Sequence, residues 1–292
     1  MSNSAHLSRR IYKVLTTAIF VILSLAIIIP VGWVAIASIK QRSEFYGSPW
    51  TLPQGFYWQN YIEAFITAYM ASYFVNSIIV TLLALTICLA VSVPCAYAVA
   101  RFDFKAKKLI ETLLMAGLFI NVNYIVVPIF LLLLGWDQAL RAIVPQAFLL
   151  DNLFILAVVY AATTIPFTVF LLLNYFRTIP KVYEEAALVD GSSRLRTMLT
   201  VMLPMALPAI NTVVLFNFLS FWNDFIISLT LMTGENRTLQ VGLLNLFQAQ
   251  RAAADYGRLY AGMVIVIVPV LIVYALVQKR LLQGATQGGI KG

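Results

Sequence analysis

The chain is poor in charged residues, histidine and cysteine, and this scarcity limits its chemistry. Only 11% of its 292 residues are Asp, Glu, Lys or Arg, and its one histidine, His6, lies in a polar amino-terminal tail. A zinc site or a histidine-based catalytic site is therefore nearly excluded. The two cysteines, Cys88 and Cys95, lie seven residues apart in one apolar run. On a helix their Cα atoms would be about 10 Å apart, which is too far for a disulfide.

Apolar residues, in contrast, are abundant and arranged in long runs. The chain is 61% hydrophobic with a mean hydropathy of +0.88, and a soluble domain cannot keep that much apolar surface out of water. Because a membrane span requires about 20 apolar residues, the sequence predicts an all-α polytopic membrane protein with six transmembrane helices. The predicted spans are Val14–Ile39, Tyr73–Ala100, Leu109–Leu134, Leu153–Phe176, Met205–Met232 and Leu259–Leu281.

The predicted organisation is a tail over residues 1–13, a six-span domain over residues 14–281 and a second tail over residues 282–292. Arg9, Arg10 and Lys13 in front of the first apolar run are similar to the start of a signal peptide. The apolar part of a signal peptide has only about 7–15 residues. This run is much longer, so we expect an uncleaved first span.

The distribution of positive charge predicts the orientation. Fourteen of the 20 Lys and Arg residues fall in the amino-terminal tail, in the loops after spans two and four, and at the carboxyl end, whereas six fall in the other loops. Because an excess of Lys and Arg marks the cytoplasmic side, both termini and the loop 177–204 are predicted to be cytoplasmic. The net charge of +8 then indicates contact with anionic membrane lipid and not with nucleic acid.

The loop 177–204 is a short charged segment between long apolar runs. Two glutamates come first, then small residues, and Pro204 and Pro208 mark the return to the bilayer. Gly191 permits a bend, so we expect two short helices that form a compact knob with a nearly side-chain-free face. An interfacial amphipathic helix that merely joins two spans is the simpler alternative. It explains the charges but not the small residues beside the paired carboxylates.

The spacing of this loop carries a family resemblance. Glu185-Ala186-Ala187 is followed after three residues by Gly191, and after nine more by Val201, one residue, and Leu203-Pro204. This pattern resembles the coupling loop of bacterial ABC-importer permeases, which docks on an ATPase subunit. The segments Phe221–Phe225 and Gly284–Gly292 also resemble the maltose-type, carbohydrate-uptake branch of the binding-protein-dependent transport inner-membrane component family. The resemblance assigns ATPase coupling to Glu184, Glu185, Ala186, Ala187, Gly191, Leu203 and Pro204.

The resemblance also implies a fold, partners and an activity. The fold is the type I ABC importer permease fold with a cytoplasmic E-A-A coupling helix, in the bacterial inner membrane. The partners are a second homologous permease that forms a heterodimer with this chain, two ATPase subunits and an extracytoplasmic solute-binding protein. The chain would be no enzyme and would bind no cofactor, because ATP and Mg belong to the ATPase. The substrate would be a sugar, with an oligosaccharide expected.

The glycine-rich tail Gly284–Gly292 does not contradict this assignment. A phosphate-binding P-loop requires Lys and then Ser or Thr directly after its second conserved glycine, whereas here Ile290 precedes Lys291 and no Ser or Thr follows. In the similar family such a tail reaches between the ATPase subunits. A frayed terminus is the alternative, and the sequence does not decide between the two.

Two clusters of polar and aromatic residues lie inside predicted spans, one in the third span and one in the fifth. Charged and amide groups in a span normally face protein or a water-filled path, and they also form hydrogen bonds between helices. Both interpretations stay open here. The candidate residues for a translocation path are Asn121, Asn123, Tyr124, Trp222, Asn223 and Asp224.

Two other classes of protein fit the sequence less well than an importer permease. An ion-coupled secondary transporter is the main alternative, but Asp224 is the one acidic residue well inside a predicted span and no internal repeat is visible. A membrane enzyme is a further alternative, but the sequence lacks a convergent set of catalytic groups.

The outer loops do not distinguish a neutral from an acidic saccharide, because their positive and negative charges are equal in number. About ten residues near 135–148 exceed the family's expected length, and we expect them to form extra outer loop.

Overall fold

A computed structural model describes residues 2–48, 50–66, 69–141, 148–253 and 255–288, and every regular element in those ranges is a helix. Within those ranges, fourteen α-helices and one π-helical turn, Met198–Met202, follow each other. The α-helices are α1 Ser2–Ala37, α2 Glu44–Gly47, α3 Gln59–Ile66, α4 Met70–Arg101, α5 Lys107–Gly117, α6 Val122–Leu140, α7 Leu153–Thr178, α8 Val182–Val189, α9 Arg194–Thr197, α10 Leu203–Met205, α11 Leu207–Trp222, α12 Ile226–Leu231, α13 Leu239–Ala253 and α14 Tyr256–Gly288.

Five of these helices are long and apolar enough to cross a membrane. Their spanning parts are Arg10–Ala37, Met70–Arg101, Val122–Leu140, Leu153–Thr178 and Tyr256–Gln278. A sixth span exists if Arg194–Met205 and Leu207–Trp222, which meet at an angle of 76°, are counted together. The prediction of an all-helical polytopic fold is therefore confirmed. The boundaries of the third and fifth predicted spans are wrong.

The third predicted span, Leu109–Leu134, is not one continuous helix. Helix α5 ends at Gly117 and α6 begins at Val122. Asn121 initiates α6, because its side-chain oxygen accepts a hydrogen bond of 3.0 Å from the backbone N–H of Asn123. Hydropathy does not detect this break because both halves are apolar.

The residues expected as extra outer loop are partly helical. Residues 135–140 are the last turns of α6, and residues 142–147 lie outside the described residues. Asp137 is buried in α6, and its carboxylate accepts a hydrogen bond of 2.9 Å from the backbone N–H of Leu149. This contact ties the end of α6 to the segment before α7.

The fifth predicted span, Met205–Met232, is broken near both ends. At its start, the backbone N–H of Ala206 lies within hydrogen-bond distance of the carbonyl oxygens of both Met202 and Leu203, between α10 and α11. At its far end, α11 stops at Trp222 and α12 starts at Ile226. Asp224 therefore lies in a non-helical break and not within a continuous helix.

The helices at both termini are longer than the predicted spans. Helix α1 begins at Ser2, so the segment expected as a separate tail over residues 1–13 continues directly into the first span. Helix α14 continues to Gly288, beyond the predicted end of the sixth span, and Pro269 lies inside it. Residues 289–292 lie outside the described residues.

The described residues divide into two compact units. One contains Met1–Met70 and Leu243–Ile267, and the other contains Ala71–Gly242 and Val268–Gly292. In the first unit, the segment after α1 is held by polar contacts. The buried side chain of Lys40 donates a hydrogen bond of 2.8 Å to the carbonyl oxygen of Thr51, and Asn60 donates to the carbonyl oxygens of Ser38 and Lys40.

The second unit has two clusters of buried apolar side chains, and one of them supports the loop between α7 and α11. This cluster joins Val99 of α4 and Phe176 of α7 to Met198 and Met202 of the π-helical turn. Leu203 packs against it as well. The base of the loop is therefore part of the hydrophobic core of this unit.

Candidate functional site

The segment between α7 and α10 folds as two short helices joined by a sharp bend. Helix α8 ends in a Schellman motif: the N–H of Gly191 bonds to the carbonyl of Leu188, and the N–H of Ser192 bonds to the carbonyl of Ala187, both at 3.0 Å. Gly191 has a φ of 79°, a conformation that residues with a Cβ rarely adopt. Ser193 then caps α9, since its hydroxyl accepts a hydrogen bond of 3.3 Å from the N–H of Arg196. The predicted bend at Gly191 is present.

Helix α8 protrudes from the unit and buries none of its residues. The expected smooth face is only part of its surface, because large apolar side chains project as well. Val189 is 87% exposed and Leu195 of α9 is 65% exposed. The exposed surface of the two short helices is therefore partly apolar.

The seven residues assigned to coupling do not all lie on this protruding surface. Glu185, Ala186 and Gly191 are exposed, whereas Ala187 is half-buried. Leu203 packs against the core cluster at the base of the loop, and Pro204 lies in α10.

Glu184 has a partner inside the same unit. Its Oε1 lies 2.8 Å from Nε of Arg101, the last residue of α4, and the two side chains are 14% and 4% exposed. The two atoms have no aligned hydrogen bond, so the contact is an ion pair by distance. A terminal amino group of the same guanidinium donates a hydrogen bond of 2.7 Å to the carbonyl oxygen of Ile179. Glu184 therefore faces α4 and is not part of the exposed surface.

A second contact joins the end of α4 to α9. The guanidinium of Arg194 lies 5.0 Å from the ring centroid of Phe102, within the range of a cation–π interaction. Tyr97 packs edge-on against both Phe102 and Phe176. These contacts are not predictable from the residues near Arg101 in the sequence. No local pattern pairs residue 101 with residue 184.

The first candidate group for a translocation path lies at the start of α6. Asn121, Asn123 and Tyr124 are exposed in this chain, and Tyr124 is 82% exposed. The break before them ends α5 beside α7: a Cβ on Gly117 would lie 2.8 Å from Cγ of Pro166. Pro166 lies near the middle of α7. The break is thus adjacent to the middle of a spanning helix.

The second candidate group lies around the break between α11 and α12. Trp222 is buried, stacks on Phe218 and contacts Phe74 edge-on. Asn223 is exposed, and its amide donates a hydrogen bond of 2.9 Å to the carbonyl of Leu219. These contacts place Trp222 in the interior and Asn223 on the surface.

Asp224 joins α7 to the break. Its Oδ2 accepts a hydrogen bond of 2.7 Å from the hydroxyl of Tyr160 and one of 3.0 Å from the backbone N–H of Ser228. The second bond satisfies a free N–H group in the first turn of α12. The interpretation that Asp224 ties helices together therefore has a direct geometric basis.

Metal-ligating side chains do not converge in the part of the chain that the structure describes. No group of three or more His, Cys, Asp or Glu residues there lies in a position to hold a metal ion.

Comparison with known proteins agrees with this architecture. Residues 91–285 match the family described as binding-protein-dependent transport system inner membrane component. The diacetylchitobiose uptake system permease protein NgcG of Streptomyces coelicolor is 35% identical over 99% of this chain and 92% of its own length. The trehalose/maltose transport system permease protein MalG of Thermococcus litoralis is 30% identical over 93% of this chain and 94% of its own length.

A solved structure shows the same fold. The crystal structure of a bacterial ABC transporter involved in the import of the acidic polysaccharide alginate contains a chain that matches with a TM-score of 0.77 at 24% identity. The match covers 93% of this chain and 97% of that chain.

These findings define the class of protein, which is an all-helical, multi-pass component of a membrane transporter. The chain belongs to the family of binding-protein-dependent transport system inner membrane components. It is the permease subunit of an ABC importer and is non-catalytic, as the resemblance implied. Membership implies ATPase and binding-protein partners.

Proposed function

We propose that this permease forms half of the pathway of a sugar importer, with an oligosaccharide as its substrate. The names of its relatives support a saccharide, since two of them are permeases for diacetylchitobiose and for trehalose and maltose. The other half would be a second homologous permease, and two ATPase subunits and an extracytoplasmic binding protein would complete a transporter of the bacterial inner membrane. ATP and Mg would bind to the ATPase alone.

The α8–α9 loop is proposed to receive the movement of the ATPase. The observation that carries this proposal is that helix α8 buries no residue and has Val189 and Glu185 on its exposed surface. The proposed orientation, with both termini and this loop in the cytoplasm, rests on the fourteen positive charges of that side against six on the other. It places the loop where an ATPase can reach it.

The pathway is proposed to run past the two breaks in the helices. Non-helical backbone at membrane depth is tolerated where it is buried in protein or lines a water-filled cavity. The first break exposes Asn121, Asn123 and Tyr124, whose amide and hydroxyl groups suit sugar hydroxyls, and the second exposes Asn223. Trp222 and Asp224 would support the second break from the interior, since both have partners there.

Reconstitution of the complete transporter tests both parts of the proposal. ATPase activity is measured with the binding protein loaded in turn with a chito-oligosaccharide, a maltose-type disaccharide and a non-sugar solute. We expect stimulation by one saccharide and its loss in Glu185→Lys and Gly191→Arg variants of the loop. Stimulation by the non-sugar solute alone would contradict the substrate class, and unchanged stimulation in both variants would contradict the coupling role.

A further inference from the structure

The contacts of α8 leave its orientation dependent on a polar attachment. Helix α8 buries no residue, so the hydrophobic core does not hold it directly. Its neighbours are α9 and the π-helical turn, which follow it closely in the chain. The end of α4 is different, because more than 80 residues of sequence separate Arg101 from Glu184. A contact across that separation connects α8 to a distant spanning helix, whereas the base of the loop meets α4 through the apolar cluster that contains Val99, Met198 and Met202.

Arg101 contacts the loop at two points with one planar group. Its Nε lies 2.8 Å from Glu184 in the first turn of α8, and its terminal amino group donates a hydrogen bond of 2.7 Å to the carbonyl of Ile179, just after α7. Only 4% of the arginine side chain is exposed. A guanidinium presents several donors in a fixed fork, which a lysine ammonium does not reproduce. The charge is also shielded from water, so removal of either partner leaves the other unpaired.

The next residue extends the attachment to the second helix of the loop. The ring of Phe102 lies under the guanidinium of Arg194 in α9, at 5.0 Å. Tyr97, one turn earlier in α4, packs against the same ring. Arg101 thus contacts α8, and the adjacent Phe102 contacts α9.

We propose that Arg101, supported by Phe102, is a positioning residue that makes α4 and the α8–α9 loop move as one body. It carries the displacement of α8 and α9 into α4, in addition to the covalent path through α7 and α11 and the apolar cluster at the base of the loop. Glu184 acts in this attachment and not as a contact with the ATPase. The inference rests on the proposed coupling function of the loop and adds the route by which movement leaves it.

The test compares two ion pairs of similar length, one at the loop and one between α5 and α7. Arg101→Gln, Glu184→Gln and the exchange Arg101→Glu/Glu184→Arg are reconstituted with the partner subunits. The matched control is Glu111→Gln, which breaks the 2.7 Å pair between Glu111 of α5 and Arg177 of α7 and leaves the loop attachment intact. We measure the ratio of ATPase activity with loaded binding protein to activity without it, together with sugar transported per ATP hydrolysed.

The expected result is a loss of coupling in the first two variants. The stimulation ratio and the transport per ATP should fall by about tenfold or more when a buried ion pair loses one partner, and the control should remain near wild type. The exchange should recover part of the loss, because the ion pair is restored although the bond to Ile179 is not. Arg101→Lys should couple less well than the wild type, because an ammonium group cannot reach both Glu184 and the carbonyl of Ile179 in the fixed geometry of a guanidinium.

A spectroscopic distance separates positioning from general stability. Spin labels at Val189 of α8 and Lys105, after α4, should give a narrow distance distribution in the wild type and in Glu111→Gln. A broad distribution is expected in Arg101→Gln. If coupling and the distance distribution both stay unchanged in Arg101→Gln while Glu185→Lys abolishes stimulation, the attachment is refuted and the coupling loop stands. If Glu185→Lys also has no effect, the coupling function itself is refuted.

Discussion

Replacing Gly191 with alanine isolates the contribution of one backbone conformation to coupling. Gly191 has a φ of 79°, and a Cβ built on it has no neighbouring atom within 4 Å. Overlap with other parts of the protein therefore contributes nothing, and the effect comes from the left-handed conformation of the residue itself. That conformation costs a residue with a Cβ about 1–2 kcal/mol.

This cost sets an upper limit on the loss of affinity for the ATPase. A free-energy difference of about 1.4 kcal/mol changes an equilibrium constant tenfold, so about 1–2 kcal/mol corresponds to about 5- to 30-fold. If the ATPase binds only the bent loop, Gly191→Ala weakens the apparent affinity by up to that factor. The assay is binding of the purified ATPase subunit to the permease pair in lipid nanodiscs, followed by transport in proteoliposomes.

Two further variants make the reasoning refutable. Gly191→Asn should lose less than Gly191→Ala, because asparagine tolerates the left-handed conformation better. Gly135→Ala is the matched control: Gly135 lies inside α6 and also has open space around a Cβ, so alanine there should be neutral or slightly stabilising. Wild-type affinity in Gly191→Ala, or a larger loss in Gly191→Asn, would show that the bend does not control binding.

Three other expectations follow from the contacts. Gly117→Ala places a Cβ 2.8 Å from the ring of Pro166, so it should destabilise the purified protein by about 1–3 kcal/mol; an unchanged or higher melting temperature would contradict that packing. Tyr160→Phe removes the 2.7 Å hydrogen bond to Asp224 and should cost about 1 kcal/mol, measured by the same melting assay; no change would show that the bond adds no stability. A cysteine at Val189, 87% exposed in this chain, is introduced after replacement of both native cysteines. In vesicles without the ATPase, it should react with a membrane-impermeant maleimide only when the vesicles are inverted; labelling in intact cells would reverse the proposed orientation.

Several features of this protein were predictable from the order of residues alone. The lengths of the apolar runs indicate how many segments enter the bilayer, because transfer into lipid depends on the sum of side-chain contributions along a segment. The bend of the loop was also accessible, since Gly191 follows a short helix-forming stretch and the left-handed conformation that ends such a helix favours glycine locally. Local chemistry was sufficient for these predictions.

Other features depend on contacts between residues far apart in sequence, and only the tertiary structure shows them. The segment Leu109–Leu134 is apolar enough on average to resemble one span, yet it is broken beside Pro166 of another helix. Asp224 looked like a charge inside a span, but Tyr160 and Ser228 satisfy it in a non-helical break. Glu184 and Glu185 are adjacent in sequence, yet one faces Arg101 and the other faces outward. Composition and hydropathy sum over neighbours in the chain, whereas helix breaks and buried ion pairs are stabilised by partners that only folding brings within hydrogen-bond distance.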